Sequence, residues 1–247
     1  MLDVSKIFLY ELRRMLGSKF YLGFGTVILW YGWQILNNVT ILGVANTAPF
    51  SPWSFGAYLT GLLPLLGVVL LFFLWNLCNA QARGVQSLTD AASVRRERYQ
   101  LTKYLAALTA WLSLVVVVTM LGISFLWTLF GDSVPVASLL LVAVITLVPP
   151  AALLLGVGAV AGSLRSWTLF VLMALVFGAG FLPGDFYGAS LFTEYPLTLG
   201  VLDPAFSMPP SVVIGKLAVL LVGVGLLLQT MVSKRVRLCR NCANRGQ

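Results

Sequence analysis

Apolar residues run along this chain in six long stretches that short polar segments separate. The stretches cover residues 20–39, 58–78, 104–130, 137–161, 167–182 and 212–232. A helix that rises about 1.5 Å per residue needs about 20 apolar residues to cross a hydrocarbon layer of about 30 Å. Most of the stretches have that length, and the shorter fifth one would cross with little tilt or by thinning the bilayer. The pattern predicts an all-α, polytopic membrane protein with six transmembrane helices.

The first 19 residues predict an amphipathic helix ahead of this six-helix domain of residues 20–232. Apolar side chains recur there at helical spacing, at Val4, Ile7, Phe8, Leu12, Met15 and Leu16. The charged side chains fall mostly on other faces, at Lys6, Glu11, Arg13, Arg14 and Lys19. We expect this helix to lie in the headgroup plane. A moving elbow and a plain membrane anchor would share that geometry.

The longest polar loop, residues 79–103, follows the second stretch and has two parts. Residues 81–88 are polar and contain Gly84, and residues 90–103 begin with the helix-capping types Asp90 and Ser93 before a basic run. Such residues start helices because their side chains accept hydrogen bonds from the first free backbone N–H groups. The loop therefore predicts a short helix parallel to the membrane, followed by a bend.

Two features mark the later stretches. Pro149 and Pro150 lie within the fourth stretch, where lost hydrogen bonds and ring clashes predict a kink that either hinges or shapes the packing. Small residues such as Gly156 follow and permit close helix approach.

Residues 183–211, here named the outer segment, are rich in Gly, Pro and aromatics yet strongly apolar. They predict re-entrant short helices between the fifth and sixth spans.

Composition and charge give the chain an orientation. The hydrophobic fraction of 59%, the charged fraction of 10% and the mean hydropathy of +0.94 exclude a soluble domain. Of the 16 Lys and Arg residues, all but Lys216 fall on one side of the six-span topology. The positive-inside rule then places both termini, including the basic tail 233–247, in the cytoplasm of a cell whose plasma or inner membrane holds the protein. Lys216 lies about one turn into the last span, where we expect its stem to reach the outer headgroups. The net charge of +8 fits anionic lipid and predicts no nucleic-acid partner.

The chemistry of the sequence argues against an enzyme. The chain has no His, no metalloprotease or nucleophile-elbow motif and no phosphate-binding loop, so any ATP must be bound by another polypeptide. No acidic residue falls in a predicted span, which disfavours an ion-coupled carrier. Cys239 and Cys242 lack two further soft ligands for zinc, so we predict no metal or cofactor in this chain. A zinc shared by two protomers, palmitoylation and simple solvation remain open for this pair. The first residues lack the apolar core of a signal peptide, so the N-terminus should be retained.

The layout resembles the type-2 ATP-binding-cassette (ABC) exporter permease family. The similarity rests on the amphipathic first helix, six spans with both ends inside, the structured loop and the apolar outer segment. Most weight falls on residues 81–105, QARGVQSLTDAASVRRERYQLTKYL. They are similar to that family's cytoplasmic stretch, in which a short coupling helix leads to a lysine, here Lys103, at the mouth of the third span.

The resemblance implies a permease subunit that pairs with an identical or different second permease subunit. Each would dock on a separate ATPase subunit, which would bind ATP and Mg. The residues that would couple to the ATPase are Ser87, Asp90, Ala91, Ala92, Ser93, Arg95, Arg96, Glu97 and Arg98. Candidate pathway-lining residues are Gln34, Asn37, Asn38, Trp75 and Asn76, and Pro149 and Pro150 would form a hinge. The alternatives are a membrane scaffold or immunity-type protein that transports nothing, and an ion-coupled secondary transporter.

Overall fold

The computed structural model describes residues 4–78, 96–182, 187–201, 204 and 206–244, with the side chains of residues 5–78, 99–182, 187–201, 204 and 206–230. All regular structure in these ranges is helical, which confirms the all-α prediction there. The helices are α1 (Val4–Leu16), α2 (Lys19–Asn38), α3 (Pro52–Cys78), α4 (Arg96–Phe130), α5 (Val136–Leu164), α6 (Thr168–Ala179), α7 (Ser190–Thr193), α8 (Tyr195–Thr198) and α9 (Pro210–Asn244). Short 3-10 turns occupy Thr40–Leu42 and Gly131–Ser133.

Four of the described helices are long and apolar enough to cross a membrane, and they indicate a multi-pass membrane protein. They are α3, α4, α5 and the first 21 residues of α9, Pro210–Thr230. The predicted first span falls on α2, which has 20 residues but carries several polar side chains. The predicted fifth span falls on α6, whose 12 residues reach about 18 Å, little more than half of a hydrocarbon layer. The structure thus shows four candidate spans, and the count of six stays a prediction.

Helix α3 forms the centre of the bundle. In its most apolar window 67% of the residues are buried, against 6% in the window of α9. Two polar side chains fix α4 against it: the Trp111 indole N–H donates to the Leu66 carbonyl at 2.9 Å, and the Tyr58 hydroxyl donates to the Val118 carbonyl at 3.2 Å. Both bonds give a buried indole or phenol donor a partner that it would otherwise lack.

Neighbouring helices run in alternating directions. Phe20 at the start of α2 packs on Phe72 near the end of α3, with ring centroids 5.2 Å apart. Trp33, near the end of α2, packs on Phe125, near the end of α4, at 5.4 Å. Helix α2 is therefore antiparallel to α3 and parallel to α4, as short connections across a bilayer require. The end of the bundle that holds α1 and the start of α4 is here called the α1 end.

Glycine allows α5 and α9 to cross with their backbones in contact. A Cβ on Gly156 would overlap the carbonyl oxygen of Gly223, and a Cβ on Gly223 would overlap the backbone of Ala152. Dispersion at this short separation replaces the hydrophobic effect that is missing between helices in lipid. The small residues of the fourth apolar stretch thus serve the close approach that the sequence predicts.

The outer segment packs on the start of α3, at the end opposite α1. Trp53 is fully buried there, and its indole N–H donates to the Pro204 carbonyl at 2.9 Å. Its ring contacts Phe206 at 4.9 Å and Tyr195 at 5.8 Å between centroids. The predicted short helices of this segment are α7 and α8, and the fully buried Phe192 of α7 completes the cluster.

Three helices extend beyond the apolar stretches that the sequence predicts. Helix α3 begins at Pro52 rather than residue 58, because the Ser51 hydroxyl caps it by accepting from the Ser54 N–H at 3.3 Å. Helix α4 begins at Arg96, so the last residues of the predicted loop 79–103 are its first two turns. Helix α9 continues to Asn244 through most of the predicted tail 233–247.

Candidate functional site

A tight turn holds α1 beside the membrane-spanning bundle. The Ser18 hydroxyl donates to the Met15 carbonyl at 2.8 Å and accepts from the Tyr21 N–H at 3.2 Å. One side chain thereby closes the end of α1 and caps the start of α2. Met15 is fully buried, and α1 lies along the first turns of α4.

A buried carboxylate joins α1 to α4. Glu11 of α1 is only 4% exposed, and its Oε1 lies 3.7 Å from the Lys103 ammonium of α4. Its Oε2 lies 3.3 Å from the Arg14 guanidinium but has no hydrogen-bond partner. The Lys103 ammonium also lies 4.5 Å from the centre of the Tyr99 ring. These four residues, Glu11, Arg14, Tyr99 and Lys103, are here called the α1–α4 junction.

Burial decides which of the two ion pairs matters. The Lys103 side chain is 13% exposed, so water screens its attraction to Glu11 weakly, whereas the Arg14 side chain is 42% exposed and contributes less. Removing one partner of a buried pair leaves an uncompensated charge, which costs about 3–5 kcal/mol. The junction therefore fixes α1 to α4 in one register.

The sequence contains a signal for this pair in the position of Glu11. Glu11 is four residues from both Ile7 and Met15, which places it on the apolar face of α1. The expectation that charged side chains lie mostly on other faces is wrong for this residue. A single carboxylate on an apolar stripe indicates a cation on the facing helix, and Lys103 at the mouth of the third stretch supplies it.

The predicted coupling residues adjoin the junction. Ser87, Asp90, Ala91, Ala92, Ser93 and Arg95 lie outside the described residues. Arg96, Glu97 and Arg98 form the first turn of α4, directly before Tyr99. Any force on residues 79–95 from outside the bundle would enter α4 at this turn, about 10 Å along the helix from Lys103.

The predicted pathway residues fall into two separate groups. Gln34, Asn37 and Asn38 are exposed near the end of α2, where the amide of Asn37 donates to the Trp33 carbonyl at 2.9 Å and that of Asn38 to Gln34 Oε1 at 3.1 Å. Trp75 and Asn76 are half-buried near the α1 end of α3. The Trp75 ring packs between Phe72 and Phe170, at 5.5 and 5.0 Å.

The two groups are not brought together within one chain. Phe20, at the start of α2, packs at the level of Phe72, one turn from Trp75. Gln34 lies 14 residues further along α2, a rise of about 20 Å. A single path lined by both groups would therefore have them at its opposite ends.

The predicted hinge residues lie inside a continuous helix. Pro149 is buried and Pro150 is half-buried, and α5 extends beyond both of them to Leu164. Each proline lacks the N–H that would reach the carbonyl four residues earlier. The carbonyls of Ile145 and Thr146 are thereby left without their donors in the helix.

The ligand chemistry of the described part of the chain is sparse. No group of three or more His, Cys, Asp or Glu side chains comes together among the described side chains, those of residues 5–78, 99–182, 187–201, 204 and 206–230. Comparison of the chain with protein-family models, curated proteins and solved structures finds no match. The α1–α4 junction and the bundle that carries it are the features that bear on function.

Proposed function

We propose that this chain is the transmembrane permease subunit of an ATP-driven ABC exporter. It forms half of a translocation pathway and couples to a separate ATPase subunit, which holds ATP and Mg. In this proposal α2 and α6 are the first and fifth of six spans, and both termini are cytoplasmic in the plasma or inner membrane. The cargo class that suits such a path is a peptide, a drug or a lipid-like molecule.

The α1–α4 junction is the observation that supports this proposal most strongly. Two connections join apolar helices at the α1 end of the bundle. The one from Cys78 to Arg96 is far longer than the one from Leu164 to Thr168. It is thus the segment best suited to enter a groove on a soluble motor. The junction follows it directly and ties the interfacial helix to α4, so that a push on the loop moves both helices together.

A second subunit is supported by surfaces that one chain leaves open. The apolar window of α9 is 6% buried, and α2 presents Trp30, Gln34 and Asn37 away from its own bundle. Lipid covers apolar side chains well, but amides at membrane depth are better satisfied by protein or water. A path at the interface of two permease subunits gives the exposed face of α9 a protein partner and gives these amides a protein or water partner.

The test is a loop variant in which Arg95, Arg96 and Glu97 are all replaced by alanine. We expect the variant to lose co-purification with the ATPase, or to retain it while the ATPase activity no longer responds to the permease. Arg165→Ala, in the exposed turn between α5 and α6, is the matched control because it lowers the net charge by the same single unit. Unchanged coupling in the loop variant would contradict the role of residues 87–98.

The same preparation separates the two alternative classes. A scaffold or immunity-type protein would co-purify with a partner that hydrolyses no nucleotide. An ion-coupled carrier would move solute down an ion gradient when the purified chain is reconstituted alone. Either result would replace the proposal.

A further inference from the structure

Helix α3 is surrounded by other described helices on every side but one. Helices α2, α4, α5 and α6 all pack on it, and neighbours in that order also contact one another. No comparable contact joins α6 back to α2 among the described helices. A groove with α3 as its floor therefore opens on the surface of the bundle between α2 and α6. It is here called the α3 groove.

The floor of the α3 groove is a row of small and apolar residues. Gly61, Leu65, Val68, Phe72 and Trp75 recur three or four residues apart, so they lie on one face of the helix. None of the five is buried, although most other residues of α3 are. The row rises about 21 Å along the helix, which exceeds one leaflet of a hydrocarbon layer of about 30 Å. The groove is thus long enough for an extended hydrocarbon chain.

Aromatic rings line the groove at the α1 end. The Phe72 ring packs on Phe20 and Phe24 of α2, with centroids 5.2 and 5.0 Å apart. The Trp75 ring packs on Phe170 of α6 at 5.0 Å. Phe20 and Phe170 are still 63% and 47% exposed, so rings on both walls are open to a ligand. These five residues are here called the aromatic mouth.

Charge at the same end favours a partner of negative sign. Lys19 is exposed and directly precedes Phe20 of the aromatic mouth. Asn76, half-buried and next to Trp75, adds an amide that donates hydrogen bonds to headgroup oxygens. Among the described side chains of α1 and the first turn of α2, a single buried carboxylate, Glu11, is outnumbered by the cations Lys6, Arg13, Arg14 and Lys19. A molecule with an anionic head and an apolar tail matches both the mouth and the floor.

A second copy of the chain matches the α3 groove less well. A copy related by a two-fold axis along the membrane normal brings its own cationic α1 end to the same level. Its charges would add to that of Lys19 instead of neutralising it. The surfaces that the proposed function gives to a second subunit are α9 and the opposite end of α2. A lipid of the surrounding leaflet is therefore the better occupant.

We propose that the α3 groove holds one anionic phospholipid as a resident ligand. Its phosphate lies at Lys19, and one acyl chain follows the row from Trp75 towards Gly61. The aromatic mouth packs on the first methylene groups of that chain. The lipid closes the open side of α3 and so stabilises the docking of α2 and α6 on the central helix. This site is a property of the folded chain and does not rest on the proposed function.

The test is the quenching of tryptophan fluorescence by brominated lipid, on the purified full chain in mild detergent. The probes are phosphatidylglycerol, which is anionic, and phosphatidylcholine, which is zwitterionic, with the same brominated acyl chains. We expect brominated phosphatidylglycerol to quench part of the fluorescence at a low ratio of lipid to protein, and unbrominated phosphatidylglycerol to restore it. Brominated phosphatidylcholine should need a ratio about fivefold higher, since one Lys at an anionic headgroup contributes about 1 kcal/mol.

Tryptophan variants locate the quenched ring among the seven Trp residues of the chain. Trp75→Phe keeps an aromatic ring in the mouth and should remove most of the quenching seen at low ratio. Trp127→Phe is the matched control, because Trp127 is 48% exposed near the opposite end of α4, and it should keep that quenching. Low-ratio quenching that persists in Trp75→Phe would overturn the site.

Charge variants test the headgroup contact without disturbing the packing, because Lys19 is exposed. Lys19→Gln should raise the phosphatidylglycerol ratio at half-quenching about fivefold, whereas Lys19→Arg should leave it unchanged. Arg13→Gln removes an exposed cation of α1 and is the matched control, which should change the ratio far less. Equal ratios for the two lipids, or equal effects of Lys19→Gln and Arg13→Gln, would contradict the anionic site.

A second copy seated in the α3 groove would give a different result. It would shield Trp75 from both lipids, so that Trp75→Phe would leave the quenching unchanged at every ratio. That result would replace the lipid site with a contact between two chains. None of these measurements involves an ATPase, so the lipid site and the proposed function succeed or fail independently.

Discussion

Breaking the α1–α4 junction should cost more stability than an ordinary surface change, because Glu11 is buried. Glu11 and Lys103 lie 3.7 Å apart. At that separation an effective dielectric constant of about 20 gives a gross attraction of about 4 kcal/mol. Desolvation of both groups offsets part of this, so we expect a net coupling of about 2 kcal/mol between them.

The perturbation is a cycle of Glu11→Gln, Lys103→Met and the double variant. Lys103→Met should be the worse single change, at about 3 kcal/mol, because it leaves the carboxylate buried beside the half-exposed Arg14, whose charge water screens. After Glu11→Gln, Lys103 still lies over the Tyr99 ring. In the double variant no charge remains uncompensated, so much of the loss should be recovered.

The assay is thermal unfolding of the full chain in mild detergent. A coupling of about 2 kcal/mol corresponds to a shift in midpoint of about 4–8 °C for a chain of this size. Arg13→Met, an exposed charge on the same helix, is the control and should change the stability by less than about 0.5 kcal/mol. Single variants whose effects simply add to that of the double variant would refute the junction.

Two glycine substitutions test the packing at other levels of the bundle. Gly223→Ala should cost about 1–3 kcal/mol in thermal stability, because its Cβ would overlap the backbone of α5, whereas Gly225→Ala, with open space around it, should cost nothing. Gly56→Ala would place a Cβ inside the Phe192 ring and should expose the outer segment to limited proteolysis, which Gly178→Ala, also in open space, should not do. Stable Gly223→Ala, or protease resistance in Gly56→Ala, would contradict the respective contact.

Hydrophobic periodicity predicts the core of the bundle well but not the ends of its helices. Helix α5 extends only a few residues beyond the predicted stretch 137–161. Helix α3 begins six residues before the predicted start, since Pro, Ser and Gly at its beginning imitate a loop. The Ser51 cap and the packing of Trp53 under the outer segment make that turn helical. The cap is a local signal, Ser ahead of Pro at a helix start, whereas the packing of Trp53 depends on a contact that the sequence does not display.

The residues of the candidate site also differ in how far the sequence reveals them. Lys103 is recognisable because it ends a polar loop at the mouth of an apolar stretch. The pairing of Lys103 with Glu11 needs the two helices to be docked, although the position of Glu11 on an apolar face indicates that it has a partner. The contact between Lys216 Nζ and the Ile145 carbonyl oxygen at 3.4 Å could not be read from the sequence, because the two residues lie 71 positions apart.

The central claim is that this chain provides a membrane passage and receives its driving force from a separate ATPase. It is tested most directly by purifying the chain through an affinity tag in mild detergent and measuring ATP hydrolysis in the eluate. The account predicts a stoichiometric nucleotide-binding partner whose hydrolysis falls when Lys103→Met breaks the junction. A fully folded chain that elutes without any such partner, and without ATP hydrolysis, would contradict the account.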